Sequence, residues 1–410
     1  MSNKLQHAPL VQFPIVDDEL IVGGVRLSQL AEQIGQTPFY AYDREAISRR
    51  VHALREKLPA EISLHYAIKA NPMPAVVDHL AALVDGLDIA SIGELRVALD
   101  SGESPANISF AGPGKDDVEL RGAVAAGITV NLESANEYRR VLEIGHSLGA
   151  TPRVAIRTNP DFELKASGMK MSGGPKPFGI DVESVPALLN RIEVDAVDFR
   201  GFHIFSGSQS LRAESLIEAQ DATFELAYRL AQGSTLPVET LNIGGGFGVP
   251  YFPGDKPLEL GAISDNLQRH LGECRERLGA CEVILELGRY LVAEAGVYVS
   301  RVVDRKHSRG QIFLVTDGGL HHHLAASGNL GQAVRRNYPV VNARQVHGGA
   351  RETVNISGRL CTPIDVLGHK IDVGKAEVGD LVVILQSGAY GYSASPHLFL
   401  GHPPPKQVLV

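Results

Sequence analysis

The chain has 410 residues, more than one hydrophobic core usually serves, so its length favours two domains. Hydrophobic residues make up 44% and charged residues 21%, and the net charge of -8 does not favour a nucleic-acid or anionic-membrane partner. No apolar run approaches the roughly 20 residues of a membrane span, the first residues lack a signal-peptide pattern, and three cysteines without metal-ligand spacing fit a reducing cytoplasm.

The first predicted element is a β-hairpin at VDDELIVGGVRL, residues 16–27, which we expect to join a C-terminal β-domain. From about residue 38 to 297, β-branched apolar runs alternate with amphipathic helix candidates such as residues 44–58 and 213–232. The predicted strands are residues 63–70, 86–91, 108–112, 128–134, 153–160, 199–207, 240–248 and 282–290.

This alternation of strands and helices predicts an α/β fold, a TIM-like (β/α)8 barrel, with a doubly wound open sheet as the alternative. The barrel is favoured because polar or glycine residues end many strands on the same side, where barrel enzymes place their sites. These strand-end residues are Lys69, Asp88, Arg157, His203, Gly244, Gly245, Gly246 and Glu286.

After residue 298 the pattern changes to short strand-like runs joined by Gly, Pro and Asp turns, which predicts an all-β domain. We therefore predict three segments: residues 1–37 joining the β-domain, a barrel over 38–297, and the C-terminal β-domain over 298–410. Residues 161–179 follow a strand at the barrel mouth and carry four glycines, which predicts a mobile lid. An ordinary surface insertion is the alternative for this segment.

Two charged residues stand at the ends of apolar strands. In HYAIKANP, residues 65–72, Lys69 is placed where partial dehydration favours an amine nucleophile. In ELGRY, residues 286–290, Glu286 ends an apolar run, where a carboxylate needs a partner. That partner is either Arg289 or a cationic nitrogen of a ligand.

Two further motifs add a phosphate site and a ring contact. Gly244, Gly245 and Gly246 in NIGGGFGVPY follow a strand, so their backbone N–H groups could bind phosphate, although a tight strand exit also requires glycine. His203 in GFHIFSGS shares a strand end with Ser206, which suits a ligand ring as well as a buried structural histidine. A lysine for an aldehyde, glycines for a phosphate and a carboxylate for a ring nitrogen together indicate pyridoxal phosphate (PLP).

Six motifs resemble, in order, those of the fold-type III PLP-dependent decarboxylases, the diaminopimelate, ornithine and arginine decarboxylase family. They are HYAIKANP, FHIFSGS, NIGGGFG, ELGR, LCTPID and SGAY, and they span nearly the whole chain. The resemblance implies a PLP-binding barrel with a C-terminal β-domain and decarboxylation of an amino acid. It also implies a head-to-tail homodimer with shared active sites.

The resemblance implies a role for each matching residue. Lys69 would bind the PLP aldehyde, His203 would stack on the ring, and Glu286 would pair with the ring nitrogen. Cys361 would reach into the active site of the other subunit and return a proton to Cα of the substrate. The other cofactor-binding residues would be Asp88, Arg157, Ser206, Gly244, Gly245, Gly246, Gly288, Arg289 and Tyr390, and the substrate-binding residues Arg289, Thr362, Asp365 and Tyr390.

The sequence departs from the family pattern near Cys361. Diaminopimelate decarboxylases follow this cysteine with Glu-Ser and ornithine decarboxylases with Asp, whereas here Thr362 follows and the nearest acid is Asp365. Where diaminopimelate decarboxylases carry an Arg and a Tyr for the distal end of the substrate, this chain has TDGGLHHHLAASGN, residues 316–329. The consecutive His321–His323 do not converge on one metal, so no metal site is predicted, and we expect them to line the pocket or the dimer interface.

These departures resemble a subgroup found beside exopolysaccharide or exosortase genes, one of whose activities is decarboxylation of a glutamyl group on an acyl-carrier protein. An amino acid or a carrier-bound aminoacyl group is therefore the predicted substrate. The alternatives are a diaminopimelate decarboxylase of lysine biosynthesis, a racemase, and a catalytically inactive regulatory homologue. Glu286 argues against a racemase because a carboxylate keeps the ring nitrogen protonated, and the presence of both Lys69 and Cys361 argues against an inactive homologue.

Overall fold

The computed structural model describes residues 5–164, 168–170, 172–332 and 334–410. The chain divides into two compact units, the barrel unit (residues 51–248 and 258–288) and the β unit (residues 1–50, 249–257 and 289–410). Among the described residues, no helix is both long and apolar enough to cross a membrane.

The strands and helices of the described residues are numbered in chain order. The strands are β1 Ile15–Val16, β2 Glu19–Val22, β3 Val25–Arg26, β4 Phe39–Tyr42, β5 Ile62–Ala67, β6 Gly86–Ile89, β7 Ile108–Phe110, β8 Thr129–Leu132, β9 Arg153–Asn159, β10 Met169–Lys170, β11 Ile180–Asp181, β12 Asp198–His203, β13 Gly207–Ser208, β14 Thr240–Asn242, β15 Glu282–Leu287, β16 Gly296–Ser308, β17 Gln311–Thr316, β18 Val340–Asn342, β19 Arg351–Ser357, β20 Val366–Gly374, β21 Leu381–Ile384 and β22 Lys406–Leu409. The α-helices are α1 Leu27–Ile34, α2 Arg44–Arg55, α3 Pro74–Ala81, α4 Ile92–Asp100, α5 Asp117–Ala126, α6 Ala135–Leu148, α7 Val185–Leu189, α8 Ala213–Gln232, α9 Gly261–Leu278 and α10 Arg289–Val292.

Parallel strands close a ring in the barrel unit. The order around the ring is β5, β6, β7, β8, β9, β12, β14 and β15, and β15 pairs with β5 to complete it. Every one of these strands overlaps a stretch that the sequence predicts as a strand, so the predicted TIM-like barrel is confirmed. The predicted helix at residues 213–232 is α8.

Polar side chains fill much of the barrel interior, where most barrels pack branched apolar residues. A cavity of about 170 Å³ lies among strand residues that include His65, Ser109, Asn131, Asn242 and Glu282. Because side chains alternate along a strand, Glu286 lies on the same face of β15 as Glu282 and Ile284. The strand geometry therefore directs the Glu286 carboxylate to the inside of the barrel, although Glu286 does not itself line this cavity.

Capping residues fix the turns at which β6, β7 and β8 lead into their helices. The Ser91 side chain accepts a hydrogen bond from the Glu94 N–H at the start of α4. At the start of α6, the Ser134 side chain accepts one from the Glu137 N–H. Asp116 and Glu119 form a reciprocal capping box at the start of α5. Each cap supplies an acceptor to an otherwise unpaired helix N–H, which holds the end of the preceding strand in place.

The β unit contains a mixed sheet and the N-terminal hairpin. Strand β16 pairs antiparallel with β4, β17 and β21, and β17 pairs parallel with β19. Strands β1 to β3 form a separate small sheet. Leu20 and Val22 of β2 share one apolar core with Val297 and Val299 of β16, so the prediction that the N-terminal hairpin joins the β-domain is confirmed.

The predicted domain boundaries at residues 37–38 and 297–298 stay a prediction. The sheet pairing nevertheless shows where one segment near the first boundary belongs. Strand β4 pairs with β16 and with β22, so residues 39–42 are part of the mixed sheet of the β unit. Its fully buried Phe39 and Ala41 contribute to the apolar core of that unit.

Candidate active site

Lys69 and Glu286 come together at the C-terminal ends of two paired strands. Lys69 lies in a single helical turn, Ile68–Ala70, that directly follows β5. Its Nζ is 3.4 Å from Glu286 Oε1, and its side chain remains 46% exposed while that of Glu286 is 4% exposed. The Lys69 amine also lies 5.6 Å from the centre of the Phe205 ring. A reachable amine is therefore held beside a buried carboxylate.

His203 approaches the same carboxylate from the end of β12. Its Nε2 lies 3.1 Å from Glu286 Oε2, an ion-pair distance without hydrogen-bond geometry. Its Nδ1 is buried and has no hydrogen-bond partner among the described residues. A buried imidazole with unused ring nitrogens beside a carboxylate is suited to a ligand ring.

Glu286 is held in its charged form. Burial alone would raise its pKa, but Lys69, His203 and Arg157 act in the opposite direction and together hold the pKa well below its usual range. The carboxylate therefore keeps its negative charge inside the barrel, where it can stabilise a positive charge on a bound ligand.

Arg157 is anchored by a carboxylate that the sequence analysis missed. Its Nη1 donates to Glu133 Oε1 at 2.7 Å, and its guanidinium lies 5.2 Å from the centre of the Phe178 ring. Glu133 also accepts from the backbone N–H groups of Gly112 and Gly179, at 2.6 and 2.7 Å. Burial opposes its ionisation, but Arg157 and the Gly179 amide outweigh it and lower the pKa of Glu133.

A second buried ion pair lies beside the first. Lys115 Nζ is 3.1 Å from Glu137 Oε1 and donates to the carbonyl oxygens of Gly112 and Asn131. Glu137 in turn accepts from the N–H of Glu133 at 2.8 Å. Burial lowers the pKa of Lys115 and raises that of Glu137. Lys115, Glu133, Glu137 and Arg157 therefore form one buried ionic network, called here the rim network.

The sequence held one signal for the rim network. Glu133 follows the apolar run of β8 just as Glu286 ends that of β15, and a carboxylate at such a place needs a partner. Glu94 was missed as well, and its carboxyl group lies near enough to Lys69 for the lysine charge to act on its pKa, which burial raises. Nothing in the spacing of these residues marks Lys115 as the partner of Glu137.

Asp88 lies on the polar interior of the barrel. It accepts a hydrogen bond from Ser109 Oγ at 2.5 Å, and its second oxygen is 3.4 Å from His65 Nδ1. Burial opposes protonation of His65, but the charges of Asp88, Glu282 and Glu286 outweigh it and raise the His65 pKa. The His65 imidazole therefore feels the charges of both Asp88 and Glu286. The sequence analysis did not single out His65.

The glycines after β14 allow close approach of protein backbone. Gly244 and Gly246 have φ of 67° and 86°, a region that favours glycine. A Cβ on Gly245 would overlap the Glu286 carbonyl oxygen, and one on Gly288 would lie 2.9 Å from the Cβ of Ala70. The turn at 244–246 therefore packs against Glu286, and Gly288 packs against the turn that carries Lys69. Ser206 follows β12, and its carbonyl accepts a hydrogen bond from Ser172 Oγ.

Arg289 and Tyr390 meet in the β unit. The Arg289 guanidinium lies 4.8 Å from the centre of the Tyr390 ring and 5.6 Å from that of Tyr251. The Tyr251 hydroxyl donates to the Ala389 carbonyl at 2.5 Å. Burial opposes the charge of Arg289, but Tyr251 and Tyr390 outweigh it and raise the Arg289 pKa. This cluster keeps a cation among aromatic rings, an arrangement that can bind an anion.

The loop with Cys361 also belongs to the β unit. The Cys361 thiol is exposed, Thr362 is partly buried, and Asp365 is buried. Asp365 accepts hydrogen bonds from the backbone N–H groups of Leu320 and Leu360. Leu320 directly precedes the three consecutive histidines.

His321, His322 and His323 are all buried in the β unit. The rings of His321 and His322 have their centres 3.6 Å apart. The Ala326 N–H donates to His323 Nδ1, so this nitrogen carries no proton and Nε2 donates to Ser387 Oγ at 3.0 Å.

No group of residues able to hold a metal ion occurs in the described part of the chain. Of the predicted lid, residues 165–167 and 171 lie outside the described residues.

The barrel-unit residues fit PLP. A lysine amine suits its aldehyde, an ionised buried carboxylate suits a protonated ring nitrogen, and an imidazole with an unpaired nitrogen is available for the ring. These groups lie at the C-terminal ends of barrel strands, where enzymes of this fold carry out their chemistry. Fold and site together define a PLP-dependent barrel enzyme.

Comparison with known proteins identifies the family. A model described as the pyridoxal-binding domain of pyridoxal-dependent decarboxylases matches residues 44–293. The chain is 40% identical over 384 residues to an L-glutamyl-[BtrI acyl-carrier protein] decarboxylase of Niallia circulans, covering 91% of this chain and 89% of that protein. A diaminopimelate decarboxylase of Aquifex aeolicus is 32% identical over 388 residues, covering 93% and 88% of the two chains.

The solved structures agree with this assignment. The crystal structure of a diaminopimelate decarboxylase from M. jannaschii superposes with a TM-score of 0.88 at 29% identity, covering 98% of this chain and 93% of that one. The chain belongs to the pyridoxal-dependent decarboxylase family, in the diaminopimelate and ornithine decarboxylase group. It is a carboxy-lyase with PLP as its cofactor, as the sequence predicts.

The rim network makes a prediction about stability. In Glu133→Gln the side chain keeps its shape but loses its charge, which leaves Arg157 buried without its ion-pair partner. Removing one partner of such a pair costs about 3 to 5 kcal/mol. We expect a loss of this size in the free energy of unfolding, measured by urea denaturation.

Glu143→Gln is the matched control, because Glu143 pairs with Arg139 on the exposed surface of α6. This control should lose less than about 1 kcal/mol. Equal losses in the two variants would contradict the role given to the rim network.

The buried histidines make a prediction about pH. Burial, with neighbouring histidines, lowers the pKa of His321 to about 4 and that of His322 to about 3, and burial lowers that of His323 to about 3. The folded protein keeps these rings neutral, whereas the unfolded chain protonates them near 6.5. Stability should therefore be full above this value and fall as the pH drops toward 4, by roughly 1.4 kcal/mol per histidine per pH unit.

Thermal unfolding between pH 7.5 and 4.5 would measure this slope. His322→Asn removes one titrating ring and should flatten the slope, whereas His146→Asn, on the exposed surface of α6, should leave it unchanged. An unchanged slope in His322→Asn would contradict the assignment.

Proposed function

We propose that this decarboxylase releases CO2 from a glutamyl group bound to an acyl-carrier protein, acting as a homodimer. The relative that is 40% identical is named as an L-glutamyl-carrier-protein decarboxylase. The residue after Cys361 supports this substrate, because Thr362 lacks the carboxylate that would bind a distal ammonium group. A substrate tethered at its distal end has no such ammonium.

The observation that carries the catalytic assignment is the approach of the Lys69 amine to the buried, ionised carboxylate of Glu286. We assign Lys69 to covalent binding of the cofactor aldehyde and Glu286 to the cofactor ring nitrogen. The proposal places His203 against the ring and Asp88, Arg157 and Ser206 around it. Gly244, Gly245, Gly246 and Gly288, with Arg289 and Tyr390, are proposed to hold the cofactor and its phosphate.

Each residue then has a physical task. When bound, PLP supplies an electron sink for the pair of electrons left at Cα by the departing CO2. Glu286 keeps a proton on the ring nitrogen, because its negative charge is preorganised inside the barrel. The exposed Cys361 thiol donates a proton to Cα. Lys69 would hold the cofactor through its aldehyde carbon, and the lysine amine would replace the product amine at that carbon, one C–N bond for another.

Arg289 and Tyr390 are also proposed to contact the substrate, together with Thr362. The homodimer with shared sites is part of this proposal, since it would allow the exposed Cys361 of one subunit to act in the site of the other. We also propose a cytoplasmic location, because the three cysteines are unpaired, as in a reducing compartment.

The role of Lys69 is tested by two substitutions. Lys69→Ala removes the amine, and Lys69→Arg keeps a cation beside Glu286 but no nucleophile. We expect both variants to lose CO2 release and the visible absorbance of the lysine-bound cofactor. Borohydride reduction of the wild-type protein followed by peptide mapping should place the cofactor on Lys69. A label on Lys115, the buried lysine of the rim network, would contradict the assignment.

The substrate is tested by CO2 release from glutamyl-carrier protein, free glutamate, meso-diaminopimelate, ornithine, lysine and arginine. We expect turnover of the carrier-bound group only. Thr362→Glu adds a carboxylate beside Cys361 and should lower turnover of the glutamyl group about tenfold, while raising that of ornithine or diaminopimelate. Thr362→Gln, which has the same length without charge, is the control. Rapid turnover of meso-diaminopimelate by the wild type would instead establish the diaminopimelate decarboxylase alternative.

A further inference from the structure

Asp365 holds two separate segments of the β unit with its carboxylate. The Leu320 N–H donates to Oδ1 at 2.6 Å, and the Leu360 N–H donates to Oδ2 at 2.8 Å. Leu360 directly precedes Cys361, and Leu320 directly precedes His321. One buried carboxylate therefore joins the segment with the thiol to the segment with the three histidines.

Two glycines make room for this carboxylate. A Cβ on Gly319 or on Gly358 would overlap the Asp365 carboxylate oxygens. Neither glycine has a positive φ, so backbone conformation does not explain them. The space that the Asp365 side chain occupies accounts for Gly319, and at Gly358 it acts together with the close approach of the Gly319 backbone, 2.5 Å from where a Cβ would lie.

Backbone hydrogen bonds hold the same loop in shape. The Gly358 N–H donates to the Asp365 carbonyl at 3.1 Å, and the Thr362 N–H donates to the Leu360 carbonyl at 2.8 Å. From the histidine segment, Asn329 Nδ2 donates to the Ile364 carbonyl at 3.5 Å. The loop around the exposed Cys361 is thus fixed at several points along its length.

The Asp365 carboxylate is buried, with 2% of its surface exposed, and His402 is the charged group that acts on it. Burial raises its pKa, and the amides of Leu320 and Leu360 oppose this shift. Because both oxygens already accept backbone hydrogen bonds and the side chain is buried, a direct contact with a substrate ammonium is disfavoured.

We propose that Asp365 is a positioning residue that fixes Cys361 and Thr362 relative to the segment of His321–His323. This role takes the place of the substrate contact that the sequence suggests for Asp365. It rests on the proposed function in one respect, namely that Cys361 donates the proton to Cα. Proton transfer depends on placement within a fraction of an ångström, so a loosened loop should lower kcat by a larger factor than it raises KM, although Thr362 on the same loop is a proposed substrate contact.

Asp365→Asn tests the proposal because it keeps the shape of the side chain. Its NH2 group would face one of the two backbone N–H donors, so at least one hydrogen bond is lost. We expect faster hydrogen exchange in both peptides that contain Leu320 and Leu360, although 40 residues separate them in the chain. We also expect kcat to fall on the order of 10- to 100-fold, with a smaller change in KM and with the visible absorbance of the lysine-bound cofactor retained.

A second variant tests the same contact from the other side. Gly319→Ala leaves Asp365 in place but displaces its carboxylate, and should raise exchange in the Leu360 peptide as well as its own. Gly272→Ala is the matched control, since it lies in helix α9 with open space beside it. Cys361→Ala should lower kcat and leave exchange in both peptides unchanged.

The outcomes separate the proposal from the proposed function. Unchanged exchange in both peptides of Asp365→Asn would overturn the positioning role, as would a rise in KM alone, which would indicate direct substrate binding. Faster exchange with kcat unchanged would also overturn it, provided that Cys361→Ala lowers kcat. If Cys361→Ala itself retains kcat, the proposed role of Cys361 fails, and exchange in Asp365→Asn still shows whether the two segments are joined.

Discussion

The burial of one ionised carboxylate, Glu286, constrains the side chains at the C-terminal ends of the barrel strands. A charge removed from water is stable only with partners close by. Lys69 and His203 supply them at 3.4 and 3.1 Å, and Arg157 adds its charge. Arg157 is itself buried and requires Glu133, which shares the rim network with Lys115 and Glu137. Charges of alternating sign therefore extend from the reactive lysine into the rim of the barrel.

The sequence predicts the parts of this arrangement that depend on local pattern. Lys69 and Glu286 are predicted as site residues because each is a polar residue at the end of an apolar strand. The barrel is predicted from the alternation of strands and helices. The sequence does not predict the rim network, because the pairing of Lys115 with Glu137 depends on how neighbouring strand ends come together. Strand β18 is not predicted either: it is three residues long, like β7 and β14, but it lies outside the strand–helix alternation that marks those two.

Glycine is where sequence reasoning remains ambiguous. The sequence leaves open whether the turn at Gly244–Gly246 binds phosphate or serves as a tight strand exit, and in the structure Gly245 leaves room for the Glu286 carbonyl. Gly319 and Gly358 leave room for the Asp365 side chain, and no motif in the sequence indicates this contact. A glycine permits close approach of any atom, whether from a ligand or from the protein, so the sequence alone cannot distinguish the two.

Two carboxylates illustrate how the same group serves different ends. Glu286 is paired with side chains, and one of them, Lys69, is 46% exposed. On the proposed function, Lys69 would hold the cofactor aldehyde through its amine, and Glu286 would pair with the cofactor ring nitrogen. Asp365 is instead held by two backbone N–H groups, which cannot leave without moving the chain. A side-chain partner thus leaves a carboxylate open to exchange with a ligand, whereas backbone partners make it a fixed point for the loops around it.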